Sequence, residues 1–314
     1  MNFIKNFQLR AWVAAIRIHT LPAIVAPVIV GTCIAINDGV YNPFIVSIVL
    51  LCALLIQIGT NISNDYFDAL NSVDTPGREG FVRVTSAGLI SEKDVKKAWI
   101  FTFFLAIIFG SYLLYIGGIP ILLIGLFSIA AGILYTGGPY PFGYHGLGDL
   151  FVFIFFGIVA VTGTYYVQSV STLSYFPLWF PPGTISQIAL ISSLSMATLT
   201  TAIIVVNNTR DIDTDSAAGK FTLSVFLGKF WSKVEYSLLI LLSYCIPIFL
   251  YLYFSFSNII LLPLITLPYG LFLIRSISYS ASIDSFNRIL KNTTLLTLIF
   301  SILFGIGLSG LIQF

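Results

Sequence analysis

The chain has 314 residues, a formal net charge of +2, 57% hydrophobic and only 9% charged residues, and a mean hydropathy of +0.97. Soluble globular chains carry roughly 25% charged residues, so this one lacks the polar surface to coat a water-exposed globule. A soluble enzyme, a disordered chain, a disulfide scaffold and a nucleic-acid binder are excluded, and a single-domain protein integral to a membrane, spanning 1–314, is left.

A bilayer core calls for about 20 apolar residues per helix. Such runs occur at 18–36, 44–62, 98–116, 119–136, 149–169, 186–207, 236–256, 259–274 and 294–313, which predicts an all-α, polytopic protein with nine spans, the eighth being the shortest. The first run follows a segment bearing Lys5, Arg10 and Arg17 and contains Pro22 and Pro27 without a small-residue cleavage site, so a signal peptide is not expected. Cys33, Cys52 and Cys245 are scattered through apolar runs with no CxxC spacing and read as small packing residues.

Charge orients these spans. Three of the fifteen Lys and Arg precede the first run, five lie between the second and third, four between the sixth and seventh, and three after the eighth. The positive-inside bias puts those segments and the N-terminus in the cytoplasm and the C-terminus outside, in a cell membrane. Acidic residues are not bound by that bias, yet only Asp38 falls on the other face. Something on the cytoplasmic side requires carboxylates.

Two segments concentrate them. Asn61-Ile-Ser-Asn64-Asp65-Tyr-Phe-Asp68 closes the second run, and Asn207-Asn208-Thr-Arg210-Asp211-Ile-Asp213-Thr-Asp215 closes the sixth. On a helix, Asn64 and Asp68 share one face, as do Asp211 and Asp215, while Asp213 points nearly opposite. Like charges four apart, at helix C-termini whose dipoles oppose them, call for a counter-ion. Mg²⁺ fits, since it takes oxygen ligands and commonly uses one or two carboxylates together with substrate phosphates. His19 and His145, the two histidines, are too far apart in sequence to suggest zinc. Arg83, Arg210, Lys220 and Arg17 lie near these segments or at the mouth of the first span and complete a candidate diphosphate site.

The two acidic segments, the second continuing as Ser-Ala-Ala-Gly219-Lys220-Phe-Thr222, resemble the paired motifs of the UbiA superfamily of intramembrane prenyltransferases. Arg17-Ile-His-Thr-Leu-Pro22 and Tyr135-Thr-Gly-Gly-Pro-Tyr-Pro-Phe-Gly-Tyr-His-Gly-Leu-Gly-Asp149 resemble its 1,4-dihydroxy-2-naphthoate branch. The likeness runs from about residue 10 to residue 230. It implies nine helices around a central cavity under a cytoplasmic cap, with Asn64, Asp68, Asp211 and Asp215 holding Mg²⁺ against a prenyl diphosphate. Asp65, Asp211, Asp215 and Tyr135 are then the expected catalytic groups, and Arg17, Arg83, Arg210, Lys220 and Asp149 the expected substrate contacts. Where the superfamily motif often has a further aspartate, this chain has Ser72, with Asp74 two positions on; Gly137, Gly138 and Pro139 stand where a basic residue is usual.

The implied chemistry is rupture of an allylic C–O bond, with metal and basic donors taking up charge on the leaving diphosphate. Tyr135 and Tyr66 are the best-placed aromatics to face an allylic cation, and Asp149 and His19 are candidates for orienting an aromatic acceptor. Relatives with another acceptor, such as 4-hydroxybenzoate, homogentisate or a lipid glycerol, are the nearest alternative. A cation-coupled transporter is the more distant one, though its carboxylates would be expected near mid-membrane in repeated halves.

Overall fold

The computed structural model describes residues 2–71 and 83–311, with side chains from residue 8 onward; Ser72 and Asp74 lie outside that range. The architecture is all-helical. Helix α1 (Asn2–Ile16) meets α2 (Pro22–Asn37) at an elbow bent by 45°, through a short 3₁₀ turn at Ile18–Thr20. Arg17 enters that turn in the left-handed region at φ 55°. Side chains of α3 (Pro43–Leu70) fasten the elbow: Asn61 Nδ2 donates to the Ile16 carbonyl at 2.9 Å and Gln57 Nε2 to the Thr20 carbonyl at 3.4 Å. A carbonyl freed by the break therefore stays satisfied inside the membrane.

Helix α4 (Glu92–Leu134) is capped by Ser91, whose hydroxyl accepts from the Asp94 amide. Forty-three residues in a straight line would reach about 65 Å, twice the hydrocarbon thickness. The helix folds instead at Gly118, whose φ of 67° and ψ of −158° are essentially reserved to glycine. Phe103 on one arm abuts Gly59 of α3, and Gly132 on the other abuts the neighbouring Thr60, so the two arms lie side by side against α3. A Cβ at Gly118 would stand 1.8 Å from the Pro177 carbonyl, which accepts from the Ile119 amide at 3.0 Å.

The chain then runs through α5 (Gly148–Val152), a π-helical stretch at Phe153–Val159 and α6 (Ala160–Val170) as one apolar rod. Helix α7 (Gln187–Arg210) is the most enclosed. Its Ala197 touches Gly157 so closely that a Cβ there would fall 2.2 Å from the Ala197 methyl. The short α8 (Ile212–Ala217) follows, then α9 (Leu223–Tyr253), a 3₁₀ segment at Asn258–Thr266 leading into α10 (Leu267–Tyr279), and α11 (Ile283–Leu308). The 3₁₀ segment rises about 2 Å per residue, which lets a short eighth run cross the apolar layer.

Among the described residues seven helices are long and apolar enough to cross a bilayer, eight if the bent α1–α2 pair is one span. The third and fourth runs of the sequence are the two arms of α4, two helices joined at the non-helical Gly118. One core joins α2, α7 and α11 through Ala26, Val30, Met196, Leu199, Phe300 and Phe304. Exposed side chains such as Phe101, Phe104, Ile108 and Tyr115 follow helical spacing along α4, the outward face expected in lipid.

Candidate active site

The C-terminal end of α3 buries the polar residues Asn61, Asn64, Asp65 and Asp68, the last with no exposed surface. Each has a distant partner. Asp65 accepts from the Val84 and Thr85 amides, both at 3.0 Å. It therefore anchors the segment that delivers Arg83, and the carboxylate expected beside the reaction spends both oxygens on backbone. Arg83 in turn reaches Asp68 at 2.7 Å. Asn64 Oδ1 accepts from the Thr136 hydroxyl at 2.9 Å.

The second acidic segment is more self-contained. Arg210 grips Asp211 with two bonds, Nε to Oδ1 at 2.7 Å and Nη2 to Oδ2 at 2.8 Å, and also donates to Asn207 and to Asn287 of α11. So engaged, Arg210 sets the position of Asp211 in this structure. The Asp215 amide donates to the Asp211 carbonyl at 2.8 Å, one helical turn apart, and Lys220 Nζ lies 3.3 Å from the Asp215 carboxylate. Asp211, Asp215 and Lys220 are buried, whereas Asp213 faces solvent and pairs with exposed Lys229. The helical periodicity thus sorts the three aspartates as the sequence suggests.

The two ends meet through a residue that sequence reasoning passed over. Tyr144, in the connection between α4 and α5, donates its hydroxyl to Asp68 Oδ1 at 2.7 Å, and its ring lies 5.9 Å from Lys220 Nζ. Its carbonyl accepts from the Phe221 amide at 3.0 Å, pinning the two loops together. The signal available in the sequence was its place in a glycine-rich stretch rich in aromatics.

Tyr135 caps the chamber beneath. Its ring and hydroxyl are gripped by Gly143 and Gly148, where a Cβ would fall 2.8 and 2.7 Å away. Below it opens an apolar chamber of about 330 Å³, lined by residues such as Val28, Thr60, Ile129, Phe155 and Gly163. Tyr66 lies elsewhere, packed against Trp99 and with Val84 and Ile90, and so has a packing role. Asp149 is 4% exposed and neither oxygen has a hydrogen-bond donor among the described residues. His19 lies within range of the charges of Arg17, Arg210 and Lys291.

The UbiA prenyltransferase family model matches residues 24–285 of this sequence. The chain belongs to that family. It is a multi-pass membrane prenyltransferase, which removes the transporter alternative. Two curated relatives are named 1,4-dihydroxy-2-naphthoate octaprenyltransferase. That of Escherichia coli K12 is 36% identical over 70% of this chain and 69% of its own length. That of Haemophilus influenzae is 31% identical over 96% of this chain and 97% of its own length. Among solved structures, a UbiA homolog from Archaeoglobus fulgidus bound to GPP and Mg²⁺ superposes with a TM-score of 0.63 at 15% identity, covering 96% of this chain and all of that one. That last likeness concerns the fold.

Among the described residues, no three of the Asp, Glu, His and Cys side chains converge as a ready-made metal cage. Asp68, Asp211 and Asp215 instead each face a basic side chain. The donor set nevertheless fits Mg²⁺: buried, hard oxygens on two facing helix ends, too few for an all-protein cage and suited to an ion that shares its shell with phosphate.

Proposed function

We propose that this prenyltransferase moves a polyprenyl group from prenyl diphosphate to an aromatic acceptor, 1,4-dihydroxy-2-naphthoate, with loss of CO₂, giving demethylmenaquinone. The observation carrying this reading is the Asp68–Tyr144–Lys220–Asp215 chain, which joins two acidic helix ends above an apolar chamber. The names of the two relatives favour the naphthoate, and the ligands of the archaeal homolog favour diphosphate and Mg²⁺.

Asn64, Asp68, Asp211 and Asp215 would hold Mg²⁺, which supplies Lewis-acid neutralisation of the departing diphosphate. Arg83 and Lys220 are stored on Asp68 and Asp215 as buried pairs, so an incoming polyanion finds its cations already desolvated and can draw them from the carboxylates. Arg17 reaches the same region from the elbow. Tyr135 presents its ring at the top of the chamber, shielding an allylic cation from water. The prenyl tail lies in the chamber below, and the acceptor meets its reactive end at the level of Asp149.

The chain is proposed to cross the membrane nine times: the bent pair once, the two arms of α4 separately, and the other six rods once each. The N-terminus and the loops bearing the acidic motifs are cytoplasmic and cap the cavity, and the C-terminus is outside, in a cell membrane, as the basic residues require. The test is purified protein in liposomes with Mg²⁺, geranylgeranyl diphosphate and dihydroxynaphthoate, followed by mass identification of the product. A decarboxylated prenyl naphthol is expected. Turnover confined to 4-hydroxybenzoate, homogentisate or a glycerol lipid would move the enzyme to another branch.

A further inference from the structure

The chamber beneath Tyr135 is long. On the second arm of α4 its lining extends from Tyr135 to Ile121, and on α5 and α6 from Phe151 to Val167. At 1.5 Å per residue each wall is roughly 20 Å long, so the volume of about 330 Å³ is spread along a slot. Gly110 on the first arm, Gly125 on the second and Gly163 on α6 all line it. Gly110 and Gly125 stand eight residues before and seven after the break at Gly118, hence at one height on the two arms. Gly163 faces that height from α6, because a Cβ there would lie 3.9 Å from Cδ1 of Ile124, the neighbour of Gly125. The three form a collar about 15 Å along the helix from Tyr135 and about 10 Å from Gly118.

Neither backbone nor packing calls for glycine at the collar. None of the three has a positive φ. A Cβ would meet nothing within 4 Å at Gly110 or Gly125, and only ordinary van der Waals contact at Gly163. Gly132, which also lines the slot, differs: a Cβ there would strike the Thr60 hydroxyl at 2.3 Å, so that glycine serves the contact between α3 and α4. A glycine inside a helix weakens it relative to alanine, and one with room for a side chain is explained by what the room admits. We infer that Gly110, Gly125 and Gly163 set the length of prenyl tail the enzyme accepts, by keeping the slot open beyond its middle. The inference rests on the reading given under Proposed function, which puts the tail in this chamber, and adds the residues that decide its length. A short tail ends between Tyr135 and the collar, whereas a long one must pass through. Packed interiors yield little to added bulk, so a side chain projecting into the collar stops the long tail and spares the short one.

The experiment measures Mg²⁺-dependent transfer to dihydroxynaphthoate in liposomes, with geranyl and geranylgeranyl diphosphate as alternative donors. Wild type is compared with Gly110→Leu, Gly125→Leu and Gly163→Leu, substitutions that favour the helix. The ratio of kcat/KM for geranylgeranyl over geranyl diphosphate is expected to fall about 10-fold or more in Gly125→Leu and Gly163→Leu, and in the same direction in Gly110→Leu. Ala130→Leu adds bulk on the exposed side of the same arm, outside the lining, and should keep the wild-type ratio within about 2-fold. Equal losses with the two donors in the glycine variants would reveal a general packing defect and overturn the collar, as would an unchanged ratio. Should one glycine variant fail to fold, the other two decide. A wild type that transfers neither tail to any hydroxylated aromatic would remove the functional reading, and the collar with it.

Discussion

The acidic ends of α3 and α7 carry similar residues but are built in opposite ways. At α7 most of the partners described are neighbours in sequence: Arg210 beside Asp211, Lys220 five residues from Asp215, Asn207 three from Arg210, with Asn287 of α11 the distant exception. At α3 they come from far away, Arg83 and the 84–85 amides from the next connection, Thr136 and Tyr144 from beyond α4. One end is thus a local turn that presents its carboxylates largely unaided, and the other a junction that exists only once three parts of the chain have packed. The difference predicts that substitutions around α7 act on chemistry directly, whereas several around α3 act through the folding of loops.

The hardest test of that contrast is the carboxylates themselves. Asp68→Ala, Asp211→Ala and Asp215→Ala should each cut Mg²⁺-dependent prenyl transfer about 10²–10³-fold, measured as kcat/KM. Asp213→Ala, on the exposed face of the same turn, should stay within about 2-fold of wild type; equal losses at all three α7–α8 aspartates would break the argument for helical presentation.

Next in size is the bridge. Tyr144→Phe removes one hydrogen bond to a charged acceptor and should lower kcat/KM about 10-fold. Tyr144→Ala, which also strips the ring from beneath Lys220, should lose more. A Phe variant as active as wild type would mean that the two ends do not depend on each other.

Asp65→Asn sharpens the distinction between direct and indirect action. The amide must turn its NH₂ toward one of two backbone N–H groups, leaving a donor unpaired at a cost of about 1–3 kcal/mol. The expected outcome is a lower thermal midpoint in detergent and a raised KM for prenyl diphosphate, as the segment carrying Arg83 loosens, with kcat changed less. A loss confined to kcat at unchanged stability would give Asp65 a part in the chemistry. Smallest of all, Lys229→Ala breaks only the exposed pair with Asp213 and should shift stability by no more than about 1 kcal/mol.

What could be read from the residues follows the same division. The sorting of Asp211 and Asp215 from Asp213 needed only a 3.6-residue period, and the α7 end was legible for that reason. The α3 end was legible as a row of ligands but not as a structure. Nothing near Asp65 announces that its oxygens hold the amides of residues 84 and 85, and nothing near Tyr144 announces Asp68, which lies 76 positions earlier. Tyr66 is instructive in another way: sequence position beside the motif suggested a place in the reaction, and the structure packs its ring against Trp99.

The sequence alone determined that this is a helical membrane protein, because apolar length and charge asymmetry are properties of local segments that a bilayer reads directly. It also determined which family's motifs the chain carries. Tertiary structure alone decided that the third and fourth apolar runs are two helices joined directly at Gly118. It also decided which carboxylates hold loops and which hold cations. Helical periodicity fixes the direction of a side chain about its own axis and is silent on what another helix brings there, since that depends on packing among segments far apart in the chain.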